Sequence, residues 1–351
     1  MRNFLAPLLF LAATVSCAPA PREFPVGIFG AQTPADARLL SSEGFNAVQS
    51  YQTEPARVAA LAAQTRRQGQ LFLVSPGTVL ASTRSAREFT GAVWYLQDEP
   101  DVHGVSREQL AKLESKVKAW APGSRTAFVV GDGNKAKDYP DVADAIMVDW
   151  YPVPHLPLES AGDHVRLTAE AAGGRKVWAV LQAMDWRDFP QRDPKKPRIG
   201  RFPTMAEMRF MSYDAVLNGA QGVWYFTYSE TLAQKPELFF AVTSVARELR
   251  AMAPIFARGR PIPLPFVSDP DGVSALSWTY HGRDYVVLTN RSKGAMLKVP
   301  DAMLDPGWRP LFEPRRDVRE FLTAHGGEFY LAPYRVLVLE SRLRPRRLLG
   351  L

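Results

Sequence analysis

A closed (β/α)8 TIM barrel followed by a small antiparallel β-sandwich, an α/β chain with an all-β appendix, is the fold class this sequence predicts. Three observations carry that expectation. Between residues 24 and 258, short apolar runs alternate with segments whose apolar residues recur at helical spacing, the pattern of parallel strands covered by helices. The alternation repeats eight times, the number that closes a barrel; an open doubly wound sheet is the competing reading, since a count does not show closure. From residue 262 the helical pattern stops, and short strand-like runs separated by turn residues take over.

In order, Phe24 to Gly30 reads as the first strand and Pro34 to Glu43 as the first helix, capped by Thr33. Asn46 to Tyr51 and Gln70 to Ser75 are the next two strands, separated by a helix from Glu54 to Gly69. A short helical piece near Arg84 to Phe89 precedes the fourth strand, Val93 to Gln97, and Ser106 opens a helix that runs to Ala121. Strands five to eight are Thr126 to Val130, Ala145 to Asp149, Lys176 to Gln182 and Gly222 to Phe226, with helices at 158–172, 204–218 and 236–256. A short helical segment starts at Asn134, and a polar, proline-rich insertion covers 185–203. The linker Arg258 to Pro265 bounds the barrel, 24–258, from the β domain, 262–342, and a basic tail closes the chain at 343–351.

The 351 residues, 46% apolar and 11% aromatic, are enough for one large core and a smaller one. The net charge of +7 comes from scattered Lys and Arg with no basic aromatic face, which argues against a nucleic-acid partner. Arg2 and the apolar run Phe4 to Val15 form a signal peptide, too short to span a membrane as a helix. Cys17, the one cysteine, follows Thr14-Val15-Ser16 in an arrangement that resembles the lipobox of bacterial lipoproteins. The resemblance implies lipidation at Cys17, a tether over 18–23 and a membrane-anchored protein of the periplasm or outer membrane; the alternative is cleavage near Ala18 or Ala20 and secretion. Either way no disulfide forms.

The stretch Val93-Trp-Tyr-Leu-Gln-Asp-Glu-Pro100 ends an apolar run in two carboxylates and a proline that cannot continue a strand, so Asp98 and Glu99 stand where a barrel keeps its chemistry. The same rim collects Tyr51, Ser75, Asp132, Asp149, Trp150, Tyr151, Gln182, Tyr228 and Glu230. Aromatic faces stack on sugar rings while carboxylates and amides bond hydroxyls, so the mixture points to a carbohydrate. Trp94, Tyr95, Trp178, Trp224 and Tyr225, inside the strands, are expected to be packing.

These motifs, with Met147-Val-Asp-Trp-Tyr-Pro152, Val177-Trp-Ala-Val-Leu-Gln182 and Asn218-Gly-Ala-Gln-Gly-Val-Trp-Tyr-Phe226, resemble the TIM-barrel glycoside hydrolases of the broad β-galactosidase-like superfamily. Val286-Val-Leu-Thr-Asn290 and Leu331-Ala-Pro-Tyr334 resemble the C-terminal sandwich of those proteins. By position, the resemblance implies that Glu99 is the acid/base. Two positions depart from the family pattern: Asp98 stands where an asparagine is usual, and Gln182 stands where the nucleophilic glutamate ends strand seven.

Hydrolysis needs a second carboxylate to attack or to activate water, and Asp149 is the first candidate, ahead of Glu230. With Asp149 as partner, the expectation leans to the wide carboxyl spacing of an inverting enzyme, with Gln182 bonding a substrate hydroxyl or orienting a carboxylate. Asp98, Tyr51, Trp150, Tyr151, Tyr228 and Glu230 complete the expected substrate contacts. The alternative is a degenerate, non-catalytic carbohydrate-binding lipoprotein, in which Gln182 marks lost chemistry.

Gly131-Asp-Gly-Asn-Lys-Ala136 matches a dinucleotide fingerprint, but it follows a fifth strand and Tyr139-Pro140 leaves little helix for a pyrophosphate, so no dinucleotide is expected. His103, His155, His164, His281 and His325 show no ligand spacing, and no Gly-x-Ser-x-Gly elbow exists. No metal or other cofactor is implied.

Overall fold

The structure, a computed structural model, describes residues 23–189, 199–262, 264, 273–312 and 317–341. The expected signal peptide with Cys17, most of the expected tether, part of the proline-rich insertion and the basic tail lie outside these residues. Eight parallel strands close a barrel in sequence order: β1 (Val26–Ile28), β2 (Ala47–Ser50), β3 (Leu71–Val74), β4 (Val93–Tyr95), β5 (Arg125–Val130), β6 (Ala145–Trp150), β7 (Lys176–Gln182) and β8 (Val223–Phe226). Closure is explicit in the β1–β8 pairing, where Gly27 stands opposite Trp224. That position has to be glycine, since a Cβ there would lie 2.2 Å from the Trp224 ring. Trp224, Trp178 and Met147 fill the barrel interior, while the alternate residues Trp94, Tyr225 and Val148 face the helices.

The connecting helices are α1 (Pro34–Ser42), α2 (Pro55–Arg67), α3 (Pro76–Leu80), α4 (Pro100–His103), α5 (Arg107–Trp120), α6 (Ser160–Ala171), α7 (Met205–Leu217), α8 (Glu230–Ala233) and α9 (Pro236–Arg258). Thr33, Ser106 and Thr204 close capping boxes at the starts of α1, α5 and α7, where the sequence places them. The one-turn helices α3 and α4 escape a periodicity search because four or five residues cannot display a helical repeat.

The β domain has two antiparallel sheets. The larger joins β9 (Arg260–Ile262), β10 (Val273–Tyr280), β11 (Arg283–Asn290), β13 (Trp308–Pro310) and β16 (Val336–Ser341), and the smaller joins β12 (Leu297–Lys298), β14 (Thr323–His325) and β15 (Glu328–Leu331). Alternation divides the larger sheet: Tyr285, Val287, Val336 and Val338 join the helix layer of the barrel, whereas Val286, Leu288, Leu337 and Leu339 meet Leu331 and Val299 of the smaller sheet. The expected linker is in part β9, an edge strand bonded among the described residues only to β10, which is where a sheet tolerates Pro261.

An ion cluster around the buried Asp214 fastens the two domains. Arg291, just after β11, reaches the barrel helices, placing Nε 3.0 Å from Oδ1 of Asp214 on α7 and Nη2 2.8 Å from Oδ1 of Asp163 on α6. Tyr334 donates to Glu159, and Arg209 Nη1 donates to the Val336 carbonyl.

Candidate active site

Past β4 the chain keeps its pairing with β5, through Leu96 N–H to Ala127 and Val129 N–H to the Gln97 carbonyl, and then turns sharply. The turn is made by Glu99 itself, at φ 41 and ψ 60, a left-handed conformation that costs a non-glycine residue roughly 1–2 kcal/mol. Pro100 opens α4, and the Glu99 carbonyl accepts the N–H groups of Val102 and His103. The Asp101 carboxylate accepts the N–H groups of Gly131 and Asp132, each at 3.0 Å, which ties the strained turn to the end of β5. Gly131 leaves room for the acid: a Cβ on it would stand 3.2 Å from Glu99 Oε1. The Glu99 side chain remains 31% exposed, so it is open to a ligand.

Asp149 faces the barrel axis because it follows Ala145 and Met147 at strand period. Its carboxyl lies within hydrogen-bond reach of that of Glu99. Tyr151 donates to Asp149 Oδ2 at 3.2 Å, while Oδ1 has no ordinary donor among the described residues. Two ionised carboxylates cannot share such a buried contact, so one of them keeps a proton. Burial, then the charges of Glu99 and Asp98, push Asp149 well above the usual carboxylate range. Glu99 is also raised, by burial and then by Asp98, while its bond to Asp149 pulls it down. The resting pair therefore shares a proton between the buried Asp149 and the more exposed Glu99.

Asp98 accepts a short hydrogen bond from the Tyr95 hydroxyl. Burial and the neighbouring acids raise the phenols of Tyr51, Tyr95 and Tyr151, so all three stay protonated as donors around the carboxylates. Beside this cluster an aromatic wall runs from Tyr151, stacked on Phe226 at 5.5 Å, to Phe189 and Phe29. The wall borders a cleft of about 950 Å³ whose lining includes Tyr51, Asp185, Phe189, Phe202, Phe226 and Tyr228. Among the described residues no group of three or more His, Cys, Asp or Glu is arranged to hold a metal.

Strained turn, paired carboxyls and aromatic cleft all stand at the C-terminal mouth of the barrel. No family model matches the chain, and no curated protein does. Similar solved structures do exist. The α-amylase of Geobacillus thermoleovorans complexed with acarbose matches with a TM-score of 0.54 at 10% identity, covering 92% of this chain and 98% of that one. Amy13B of Eubacterium rectale gives 0.55 at 9% identity, with 92% and 96% covered. An Anoxybacillus α-amylase gives 0.54 at 12%, with 94% and 99% covered. The structural neighbours are TIM-barrel glycoside hydrolases. At these identities the likeness is one of fold, and it takes in the C-terminal β domain as well as the barrel.

Within this glycoside-hydrolase-like barrel, several expected site residues are placed differently. Gln182 is fully buried and does not face a ligand: its Oε1 accepts Val153 N–H at 2.8 Å, and its Nε2 donates to the carbonyls of Val153 and Met184. The amide holds the loop after β6 in place, a task that needs both a donor and an acceptor and that a glutamate could not perform. Trp150 points outward, stacked 3.6 Å from His164 of α6 and bonded to Ser160, so it belongs to the helix layer and not to the mouth. The wide spacing expected of an inverting pair is not present, because Glu99 and Asp149 touch. Glu230 opens α8, and its side chain is outside the described residues. Asp98, Glu99, Asp149, Tyr51, Tyr151 and Tyr228 do gather around the mouth and its cleft.

The sequence reading missed the Tyr95 hydroxyl, Gly131 and the wall residues Phe226 and Phe189. For Tyr95, strand alternation with Val93 was the available signal; for Gly131 none existed, since its neighbour Glu99 comes from another strand. The segment after β5 forms a 3-10 helix over Gly133–Asp138, capped by Asp132. Gln182→Ala is expected to lower stability by about 1–3 kcal/mol by leaving the Val153 amide group unpaired, with substrate affinity little changed. Chemical denaturation and ligand titration of the variant check both halves of this expectation.

Proposed function

We propose that the protein hydrolyses O-glycosidic bonds of a carbohydrate outside the cytoplasm, with Glu99 as general acid and Asp149 as its partner. The observation that supports this reading most is the contact between these carboxyls, one buried and one open, beside an aromatic cleft at the mouth of the barrel. A carbohydrate suits the cleft, because ring faces such as those of Phe189, Phe226 and Tyr228 cover the apolar faces of sugars while the tyrosine hydroxyls and carboxylates bond hydroxyl groups. One neighbour in fold is complexed with acarbose.

The pair supplies one proton. A glycosidic oxygen reaching Glu99 accepts that proton as its bond to the anomeric carbon breaks, the carboxylates left behind stabilise the cationic sugar, and a water adding to the anomeric carbon returns a proton to the pair. A sugar wedged at the mouth must separate the two groups, since acid and nucleophile across a sugar stand about 5–5.5 Å apart in retaining enzymes and further in inverting ones. The kinship with the β-galactosidase-like superfamily is part of this proposal. Release of reducing sugar from a panel of polysaccharides, measured for the native protein and for Glu99→Gln, tests it. Tight binding to a member of the panel without turnover would replace hydrolysis by a sugar-binding role.

We further infer that the chain is exported and anchored through lipidated Cys17. Mass spectrometry of the membrane fraction should find an acylated peptide beginning at Cys17. An unmodified N-terminus beyond it would leave a secreted protein.

A further inference from the structure

We propose that the N-terminal face of the barrel, opposite the mouth, binds the headgroup of an anionic glycerophospholipid. A cavity of about 550 Å³ opens there, beside the starts of β1, β3 and β5. Arg66, Arg125, Arg250 and Arg258 line it, and among the described residues Glu23 is the one acid of the lining. The side chains of Arg125, Arg250 and Arg258 make no hydrogen bond or ion pair with protein groups among the described residues, and that of Arg66 donates only to the Glu88 carbonyl. Lys176 adds a further cation close to Arg125 and Glu23.

Cations gathered in a recess repel one another, and an anion that accepts several guanidinium N–H groups removes that cost. The lining thus offers cationic donors for the phosphodiester of a phosphoglycerol headgroup.

The occupant follows from where the chain enters the fold. Asn46 clamps the entry, accepting from Val26 N–H at 2.6 Å and donating to the Phe24 carbonyl at 3.2 Å, and the Phe24 ring packs 5.0 Å from Phe256. Glu23, at the cavity, is six residues beyond Cys17, so even an extended tether spans no more than about 20 Å. An acylated Cys17 would hold this face, and not the mouth, against the bilayer, leaving the mouth turned towards polysaccharide. The location rests on the lipid-anchor reading, whereas the binding site can be tested without the lipid.

The experiment uses the full mature chain made without an acyl group, floated with vesicles of phosphatidylcholine alone or mixed with phosphatidylglycerol. Binding is expected only to the mixed vesicles. Replacing Arg125, Arg250 and Arg258 together by glutamine should weaken it about 100-fold, at roughly 5-fold per arginine. Removing equal charge from exposed positions elsewhere, with Lys112, Lys116 and Lys293 changed to glutamine, should leave it close to native. The exposed single variant Arg250→Gln, whose fold is checked by its melting curve, gives the same direction if the triple variant is unstable. Equal weakening by the two triple variants would reduce the effect to net charge and overturn the site, as would absence of binding to the mixed vesicles. Saturable binding of inorganic phosphate without vesicle binding would reassign the cavity to a soluble anion. The mass of the Cys17 peptide reports separately on the anchor.

Discussion

Glu99→Gln is expected to lower turnover by about 10²- to 10⁴-fold, the range a positioned general acid contributes, without loss of folding. Glutamine keeps the size of the side chain, and the left-handed turn is held by backbone bonds and by Asp101, none of which involves the Glu99 carboxyl. Asp149→Asn should be comparably damaging, because it removes one of the two carboxyls that share the proton. Both carboxyls are raised, so the protonated pair persists above the ordinary carboxylate range; activity should fall as pH rises through the upper of its two steps. A profile of kcat/KM against pH, with melting curves for both variants, checks this. Unchanged turnover in Glu99→Gln would end the assignment, and a variant that no longer folds would make Glu99 a structural residue.

Arg291→Met is expected to cost about 3–5 kcal/mol of stability at about pH 8, the usual penalty for leaving a buried charge unpaired. Asp214 is fully buried, and Gly162 gives it room: a Cβ there would lie 2.0 Å from Oδ2. Burial pushes the Asp214 carboxyl up to about 7, against the pull of Arg291, while Asp163 and Glu159 raise it further. The folded chain thus binds a proton that the unfolded chain has already released between about pH 4 and 7. This contribution is fully present below the unfolded pKa and is lost as pH rises through 7. Without Arg291 the carboxyl is still harder to ionise, so the penalty should shrink as pH is lowered and Asp214 becomes neutral. Denaturant titrations of native and Arg291→Met protein at several pH values measure this. Adding Asp214→Asn to Arg291→Met should recover much of the loss, because no buried charge remains.

The sequence by itself determined the elements and their order. Strands buried on both faces are continuous apolar runs, capping boxes are local, and the change of texture at residue 262 marks a change of fold, so all eight barrel strands and their main helices could be read from neighbouring residues. Local reading also placed Glu99 just past a strand end, since a proline directly after an acid is a feature of adjacent residues. Only the tertiary structure decided what these residues face. Gln182 and Trp150 sit at strand ends exactly as expected of rim residues, yet one is used by the loop after β6 and the other by α6. Contacts between strands distant in sequence likewise brought Asp149 against Glu99, opened space at Gly131 and sent Arg291 into the barrel helices. Periodicity tells which side of a strand a residue takes; its partner, and hence its charge state, depends on side chains delivered by other parts of the chain.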